Sequence, residues 1–406
     1  MDSRSIIDVT ETPARPSDLR VQNSRTLLRL VRDHEPCSKA DLARLSGLSA
    51  PTVAAAVADL SALGLVEPAG EGPSSGGRPP ELLRFRPEHR LVAAADIGGT
   101  RLRLMIANLS GVPVAERKCI IPPDAKTPEA ICVLLYEQLL SACAEAGITA
   151  QKILHLTVGA PGITDVERGM VLSAPNLDKW TQVPLRQMLE QLCGIPVTVE
   201  NDVNLAAIGE HWRGIAVGVK DFILIAIGTG IGSGIFLGGR LYRGAQWSAG
   251  EIGYFPVAGM APEMPDQNIA GQLERVIGGA GIERMWRERL KQSSRAADAS
   301  LMKLRASRIL DLANDLQDPT ALTILKETAR LLTDAIVNTM LILNPSLIVL
   351  GGGVGSHPSL QREVERLLQP VRFPRPAICT STLDTHAQLY GAIAMALEAC
   401  QAKLVC

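Results

Sequence analysis

Two well-separated stretches of this chain share one design. LVAAADIGGTRLRLMIANLSG starts at Leu91, and DFILIAIGTGIGSGIFLGGRLYRG starts at Asp221. Each reads as a buried strand, a glycine-rich turn and a second strand. Glycines let the backbone approach phosphate oxygens closely, while the exposed N–H groups and a threonine hydroxyl donate to them. The first turn offers Gly98, Gly99 and Thr100, with Asp96 at the strand end, a carboxylate suited to holding Mg²⁺ through water. The second offers Gly228, Thr229 and Gly230. Further on, NPSLIVLGGGVG runs a strand into Gly351, Gly352 and Gly353 ahead of a helix, a turn that could accept the adenosine end of a nucleotide. A plain hairpin explains any one turn alone. Three together predict two duplicated α/β lobes facing each other across one cleft.

VTVENDVNLAAIGEHW adds chemistry. A strand ends in Glu200-Asn201-Asp202, and a helix follows. A carboxylate at such a strand end suits a general base taking a proton from a sugar hydroxyl, with Asn201 orienting neighbouring hydroxyls. The competing reading is that Asp202 caps the helix. Residues 248–275, SAGEIGYFPVAGMAPEMPDQNIAGQLER, form a connection too long to be ordinary inside a compact domain. It carries two carboxylates, Glu251 and Glu274.

The front of the chain has a different texture. QNSRTLLRLVRDH, SKADLARLSG and SAPTVAAAVADLSALGLV each carry a helical stripe. Ser38 with Asp41 three residues on resembles a capping box, Gly47 marks a helix end, and Ser49 with Pro51 marks the next start. Two short helices joined by SGLS have helix-turn-helix spacing, the third helix being the one for the major groove. Val66-Glu67 and residues 82–85 can pair around a Gly/Ser/Pro tip as a wing, with Arg78 near a DNA backbone or minor groove. Ser49 and Thr52 are the candidate groove contacts. The rest of that helix's outer face is alanine, so hydrogen-bonded base readout is thin. Residues 1–18 read as a flexible arm and 19–86 as the winged helix-turn-helix.

Net charge is −1, so nucleic-acid binding has to be local. No apolar run approaches a membrane span. None of the eight cysteines forms a C-x-x-C pair, which points to core thiols in a reduced, cytoplasmic protein without a cysteine-based zinc site.

Taken in order, the winged helix with GGRPPELL, then DIGGT, GAPGITDVERGMVLSAPNL, ENDVNLAA, GTGIGSGI, AGEIGY, NPSLIVLGGGV and YGAIAMAL resemble the ROK family of sugar kinases and sugar-responsive transcriptional repressors. The resemblance implies a two-lobed actin/hexokinase-like (ribonuclease H-like) body. Lobe 1 is expected over residues 91–204 with the C-terminal helix 385–406, and lobe 2 over 205–384. It further implies that Asp96 lies at the phosphate and Mg²⁺ side, that Asp202 is the catalytic base of kinase members, and that Asn201, Asp202, Glu251 and Glu274 contact the sugar. Family members usually carry His at the position of Tyr254 and a cysteine cluster before the second glutamate, which bind a structural zinc. Residues 254–272 contain neither Cys nor His, so zinc is expected to be absent. Packing of Tyr254, Phe255, Val257, Met260 and Met264 is expected to hold that loop instead. The expectation is a regulator, working as a homodimer or higher homo-oligomer on operator DNA and sensing a sugar or sugar phosphate. The alternative is an ATP- and Mg²⁺-dependent sugar kinase.

Overall fold

The computed structural model describes residues 16–73, 79–174, 177, 179–261, 263–292, 295, 298–401 and 404. The chain divides into two compact units. The first takes residues up to 91 with 108–110 and 398–406, and the second takes 92–107 and 111–397.

In the first unit, α1 (Pro16–His34) begins inside the segment expected to be an arm. A proline in the first helical turn explains the early start, because the N–H it lacks has no intrahelical partner there. After the short β1 (Cys37–Ser38), α2 (Lys39–Ser46) is closed by a reciprocal cap. The Asp41 N–H donates to Ser38 Oγ and the Ser38 N–H to Asp41 Oδ2, both at 3.1 Å. Gly47 ends that helix, Ser49 caps α3 (Ala50–Ala62), and the two helices meet at 116°, within the range of a helix-turn-helix. The wing is β2 (Val66–Glu71) antiparallel to β3 (Glu81–Phe85), in register Val66↔Phe85 and Glu67↔Arg84, with β1 on the far side of β3. Leu27, Val31, Leu42, Val53, Leu60, Leu83 and Phe85 make its core.

The second unit is built on two five-stranded sheets. Lobe 1 contributes β4 (Leu91–Ile97), β5 (Arg101–Asn108), β6 (Pro113–Ile120), then α4 (Pro128–Glu145) and β7 (Ile153–Ala160). A small antiparallel sheet of β8 (Ile163–Asp165), β9 (Met170–Ser173) and β10 (Thr181–Val183) follows, with α5 (Leu185–Cys193), β11 (Val197–Asn201) and α6 (Asp202–Arg213). Lobe 2 contributes β12 (Phe222–Ile227), β13 (Ile231–Leu237), β14 (Arg240–Tyr242), α7 (Gln272–Ile277), α8 (Gly279–Lys291), α9 (Ala306–Asp315), α10 (Pro319–Leu343), β15 (Leu347–Gly351), α11 (Gly352–Gly355), α12 (Pro358–Leu368) and β16 (Ala377–Thr380), before α13 (Ala387–Gln401) closes the fold.

The sheet orders are β11-β7-β4-β5-β6 and β14-β13-β12-β15-β16. Numbered from each lobe's first strand, both read third, second, first, fourth, fifth. The repeat expected from the glycine hairpins is therefore a repeat of whole-sheet topology. Strand β12 shows why its sequence is apolar without alternation. Phe222 and Leu224 pack with Ala206, Ala207 and Phe236 on one face, while Ile223, Ile225 and Ile227 join Trp286, Leu332 and Ile336 on the other. A sheet covered on both faces reads as a continuous hydrophobic run. The stripe of α10 (Leu325, Ala329, Leu332, Ala335, Ile336) is spent inside this core. Among the described residues no single helix is long and apolar enough to cross a membrane.

Candidate functional site

The strand ends and turns of both lobes open onto one cleft of about 450 Å³. Of the residues singled out in the sequence, Gly98, Gly99, Thr100, Asn201, Asp202, Gly228, Thr229, Gly230, Glu251, Glu274 and Gly352 all line it. Asp96, Gly351 and Gly353 do not.

Lobe 1 delivers Asp202 through the start of α6. The helix cap is Asn201, not Asp202. Asn201 Oδ1 accepts from the Val203 and Asn204 N–H groups at 2.9 Å, and its Nδ2 donates to Gly162 O at 2.9 Å. Capping thus occupies Asn201's oxygen and leaves the Asp202 carboxylate for the cleft, bonded among the described residues only to the Val203 N–H, at 2.9 Å. Burial, then the charge of Asp96, pushes Asp202 up to about 7. Beneath it, buried Glu200 accepts from the Asn201 N–H, from Asn204 Nδ2 at 3.0 Å and from Arg243 Nε at 2.7 Å, which draws the segment after β14 back onto β11.

Lobe 2 delivers the two glutamates from opposite ends of the long connection. Gly250 (φ 97°) precedes Glu251. Its carbonyl accepts from the Ser233 N–H at 2.9 Å and the Ser233 hydroxyl at 2.8 Å, and a side chain at Gly250 would run into the Ser233 carbonyl. Glu274 sits on α7, where its Oε2 accepts from the Ile231 N–H at 2.8 Å. The ends of the loop meet where Gly271 lies against the Gly253 carbonyl, a contact that leaves no space for a Cβ. Burial first, and then Glu274 beside it, pushes Glu251 up to about 7, and burial likewise raises Glu274. Three carboxylates from two lobes therefore converge on a cavity poor in cations, each an acceptor for ligand hydroxyls.

The loop is held only partly as the sequence suggests. Val257 is buried and Phe255 packs against the same core, but Met260 and Met264 are 44% and 86% exposed and do not anchor it. Gln272 does that work. Its Oε1 accepts from the Val257 N–H at 2.7 Å and its Nε2 donates to Ala261 O at 2.9 Å. The Tyr254 hydroxyl donates to Ile269 O at 2.9 Å, Ser173 Oγ to Gln267 O at 2.7 Å and Arg275 Nη1 to Ala270 O at 2.7 Å. Tyr254 lines the cleft, yet its hydroxyl braces the loop. Burial and the nearby Glu251 and Glu274 push that phenol up to about 12.

Asp96 lies behind the first glycine turn, buried and paired. Its Oδ2 receives Arg103 Nε at 3.0 Å and Nη2 at 2.7 Å, and Arg103 also reaches the Thr385 carbonyl. The cation that Asp96 holds is a guanidinium, and this donor set does not fit a hydrated Mg²⁺ at that oxygen. Arg103 was legible in principle. The Gly98 N–H donates to Arg101 O at 2.9 Å, so the hairpin folds residues 96 and 103 opposite each other.

In the first unit, Ser49 and Thr52 lie at the outer start of α3. Their hydroxyls bond each other at 2.8 Å, and Ala50, Ala54, Ala55 and Ala58 are exposed beside them. Arg78 lies outside the described residues. Glu67 bonds Arg84 Nε at 2.7 Å and Arg86 Nε at 2.8 Å, fixing the wing's base.

Comparison with known proteins fits this geometry. A model of the ROK family matches residues 92–399, and a model of the MarR family matches residues 17–73. The xylose repressor of Caldicellulosiruptor bescii is 29% identical over 388 residues, covering 94% of this chain and 96% of that protein. The glucokinase of Halalkalibacterium halodurans is 30% identical over 293 residues, 71% of this chain and 88% of that one. A solved ROK family transcriptional regulator, a homolog of the E. coli MLC protein, shares the fold with a TM-score of 0.76 at 22% identity, over 95% of this chain and 98% of that one. A ROK family glucokinase from Streptomyces griseus, solved with glucose and AMPPNP, gives a TM-score of 0.66 at 29% identity, over 76% and 99%. The chain belongs to the ROK family.

Proposed function

We propose that this protein is a sugar-responsive transcriptional repressor, its winged helix reading operator DNA and its cleft holding a sugar or sugar phosphate. One observation carries the reading: a helix-turn-helix and a three-carboxylate cleft occur in one chain. Asp202, Glu251 and Glu274 accept hydroxyls, and Asn201 fixes the strand end that presents Asp202. Ser49, Thr52 and Arg78 meet the DNA, with alanines against thymine methyls, and a homodimer on a two-fold operator supplies the affinity that one module lacks. A ligand gripped by residues from both lobes changes DNA binding only as far as it prefers one lobe arrangement over the other.

The test is a thermal-shift screen of the whole protein against mono- and disaccharides, sugar phosphates and ATP with Mg²⁺, with Glu251→Ala as control. Hits are then added to anisotropy measurements on DNA selected by the protein. A sugar that stabilises the wild type and not the variant, and that changes DNA affinity, is the expected result. No shift with any sugar removes the sensing role.

A second reading, an ATP-dependent sugar kinase, is favoured by Asp202, whose raised value suits a base that accepts a hydroxyl proton at neutral pH. Thr100, Thr229 and the glycines of the first two turns would then face phosphates, and Gly351 to Gly353 the adenosine end. Arg103 on Asp96 weighs against it. Sugar-stimulated ATP consumption that vanishes in Asp202→Asn would establish the kinase.

A further inference from the structure

Among the described residues six non-glycines have positive φ, and Trp247 (φ 63°) is the one that lines the cleft. A bulky side chain rarely adopts this conformation, and such strain persists only where neighbouring structure enforces it. That enforcement is visible on both sides. Arg243 is tied to buried Glu200 at 2.7 Å, and the Ala249 N–H donates to Arg243 O at 3.2 Å, closing the loop. Gly250 is fastened to Ser233. Ala245, Gln246 and Ser248 of this loop are exposed, whereas Trp247 is turned partly inward and lines the cleft. Among the described residues the indole stacks on no ring or cation and donates no hydrogen bond, and it is half-buried, lining the cleft with Ala249 and Glu251. A tryptophan placed for core packing would be enclosed, as Trp180 and Trp286 are.

We propose that Trp247 is the platform on which the ring of a pyranose ligand stacks, its C–H face on the indole and its hydroxyls on the carboxylates. This rests on the sugar-sensing reading above and names the ligand class for that site. The indole face is negative and apolar, and the C–H groups of a ring whose hydroxyls are equatorial are weakly positive and apolar. The two surfaces match. Carboxylates alone bond hydroxyls of any polyol, whereas a flat aromatic wall selects a ring with one face free of axial hydroxyls. D-Glucose and D-xylose have that shape.

The test titrates D-glucose, D-xylose and the acyclic polyol D-sorbitol into the full-length protein, following tryptophan emission and thermal stability. Trp286 is enclosed and Trp212 lies under the Arg213 guanidinium, but Trp180 bonds Lys126 and Ala174 of the cleft lining, so the emission change is assigned to Trp247 by its loss in Trp247→Phe. Trp247→Phe keeps an aromatic face, and Trp247→Gly removes it while relieving the backbone. The expected result has four parts: a pyranose quenches and blue-shifts the wild-type emission, sorbitol does not, Trp247→Phe binds within about threefold, and Trp247→Gly binds at least about tenfold more weakly. The sugar-free melting temperature of Trp247→Gly should equal or exceed that of the wild type. Two results overturn the proposal while leaving sugar sensing intact. One is unchanged pyranose affinity in Trp247→Gly. The other is a Trp247→Gly variant that melts several degrees lower, with Trp247→Phe losing affinity as strongly. A wild type that binds no sugar removes the sensing reading and this proposal together.

Discussion

Asp202 and Glu251 are acids held near neutrality by burial and by neighbouring acids. A carboxyl raised in the folded state keeps its full contribution to stability below its unfolded value and loses it as pH climbs through the folded one. The sugar-free protein should therefore lose stability between about pH 4 and pH 7 on account of this pair. Glu251→Gln should flatten the decline by several degrees in the melting temperature, at roughly 2–4 °C per kcal/mol. Thermal melts across that pH range decide it, and parallel curves for wild type and variant would contradict the cluster. Arg243 offers a second check. Arg243→Ala leaves Glu200 buried without its cation and should cost about 3 kcal/mol in urea unfolding. The sequence exposed Asp202 at a strand end and Glu251 beside glycine, and Glu274 as the carboxylate that closes the unusually long connection. It hid Glu200, Gln272 and Trp247, whose roles depend on partners distant in sequence or on one backbone angle.

At the scale of elements, the first half of the connection between Glu251 and Glu274 is tied down by the Gln272 amide, at Val257 and Ala261. Gln272→Ala would strand the buried Val257 N–H, at a cost of about 1–3 kcal/mol, and would release the exposed Ala261 carbonyl to water. Hydrogen exchange should accelerate across residues 255–270 in this variant while β12 stays protected. Uniform acceleration would mean that the loop is not an independent unit. The Met residues expected to pack there are exposed, and side chains bonding the segment's backbone hold it instead. The duplicated sheets were readable from the glycine hairpins, and the capped helices of the first unit from Ser38, Gly47 and Ser49. The β8–β9–β10 sheet was not, since strands of three and four residues carry too little alternation to register.

At the scale of the molecule, a net charge of −1 leaves DNA binding to a few local cations. Arg20, Arg44, Arg84 and Arg86 are already engaged with Asp59, Asp41 and Glu67. Few phosphates should then be neutralised. The slope of log affinity against log salt should be shallower than about −5 per winged helix, and random DNA should bind weakly at physiological salt. Anisotropy between about 50 and 200 mM salt measures it, and a steep slope would point to basic residues beyond those described. The extra turn at the front of α1 was not legible in the sequence, because a proline reads equally well as the end of an arm.

The crowding of Asp202, Glu251 and Glu274 should also make the sugar-free cleft a store of exchangeable protons. Near pH 7 it is partly occupied by them, and ligand hydroxyls, which donate best to ionised carboxylates, must evict them. Calorimetric heats of sugar binding should accordingly vary with the ionisation enthalpy of the buffer, and affinity should climb as pH rises through 7. The protein would then register acidity and sugar as competitors for one seat.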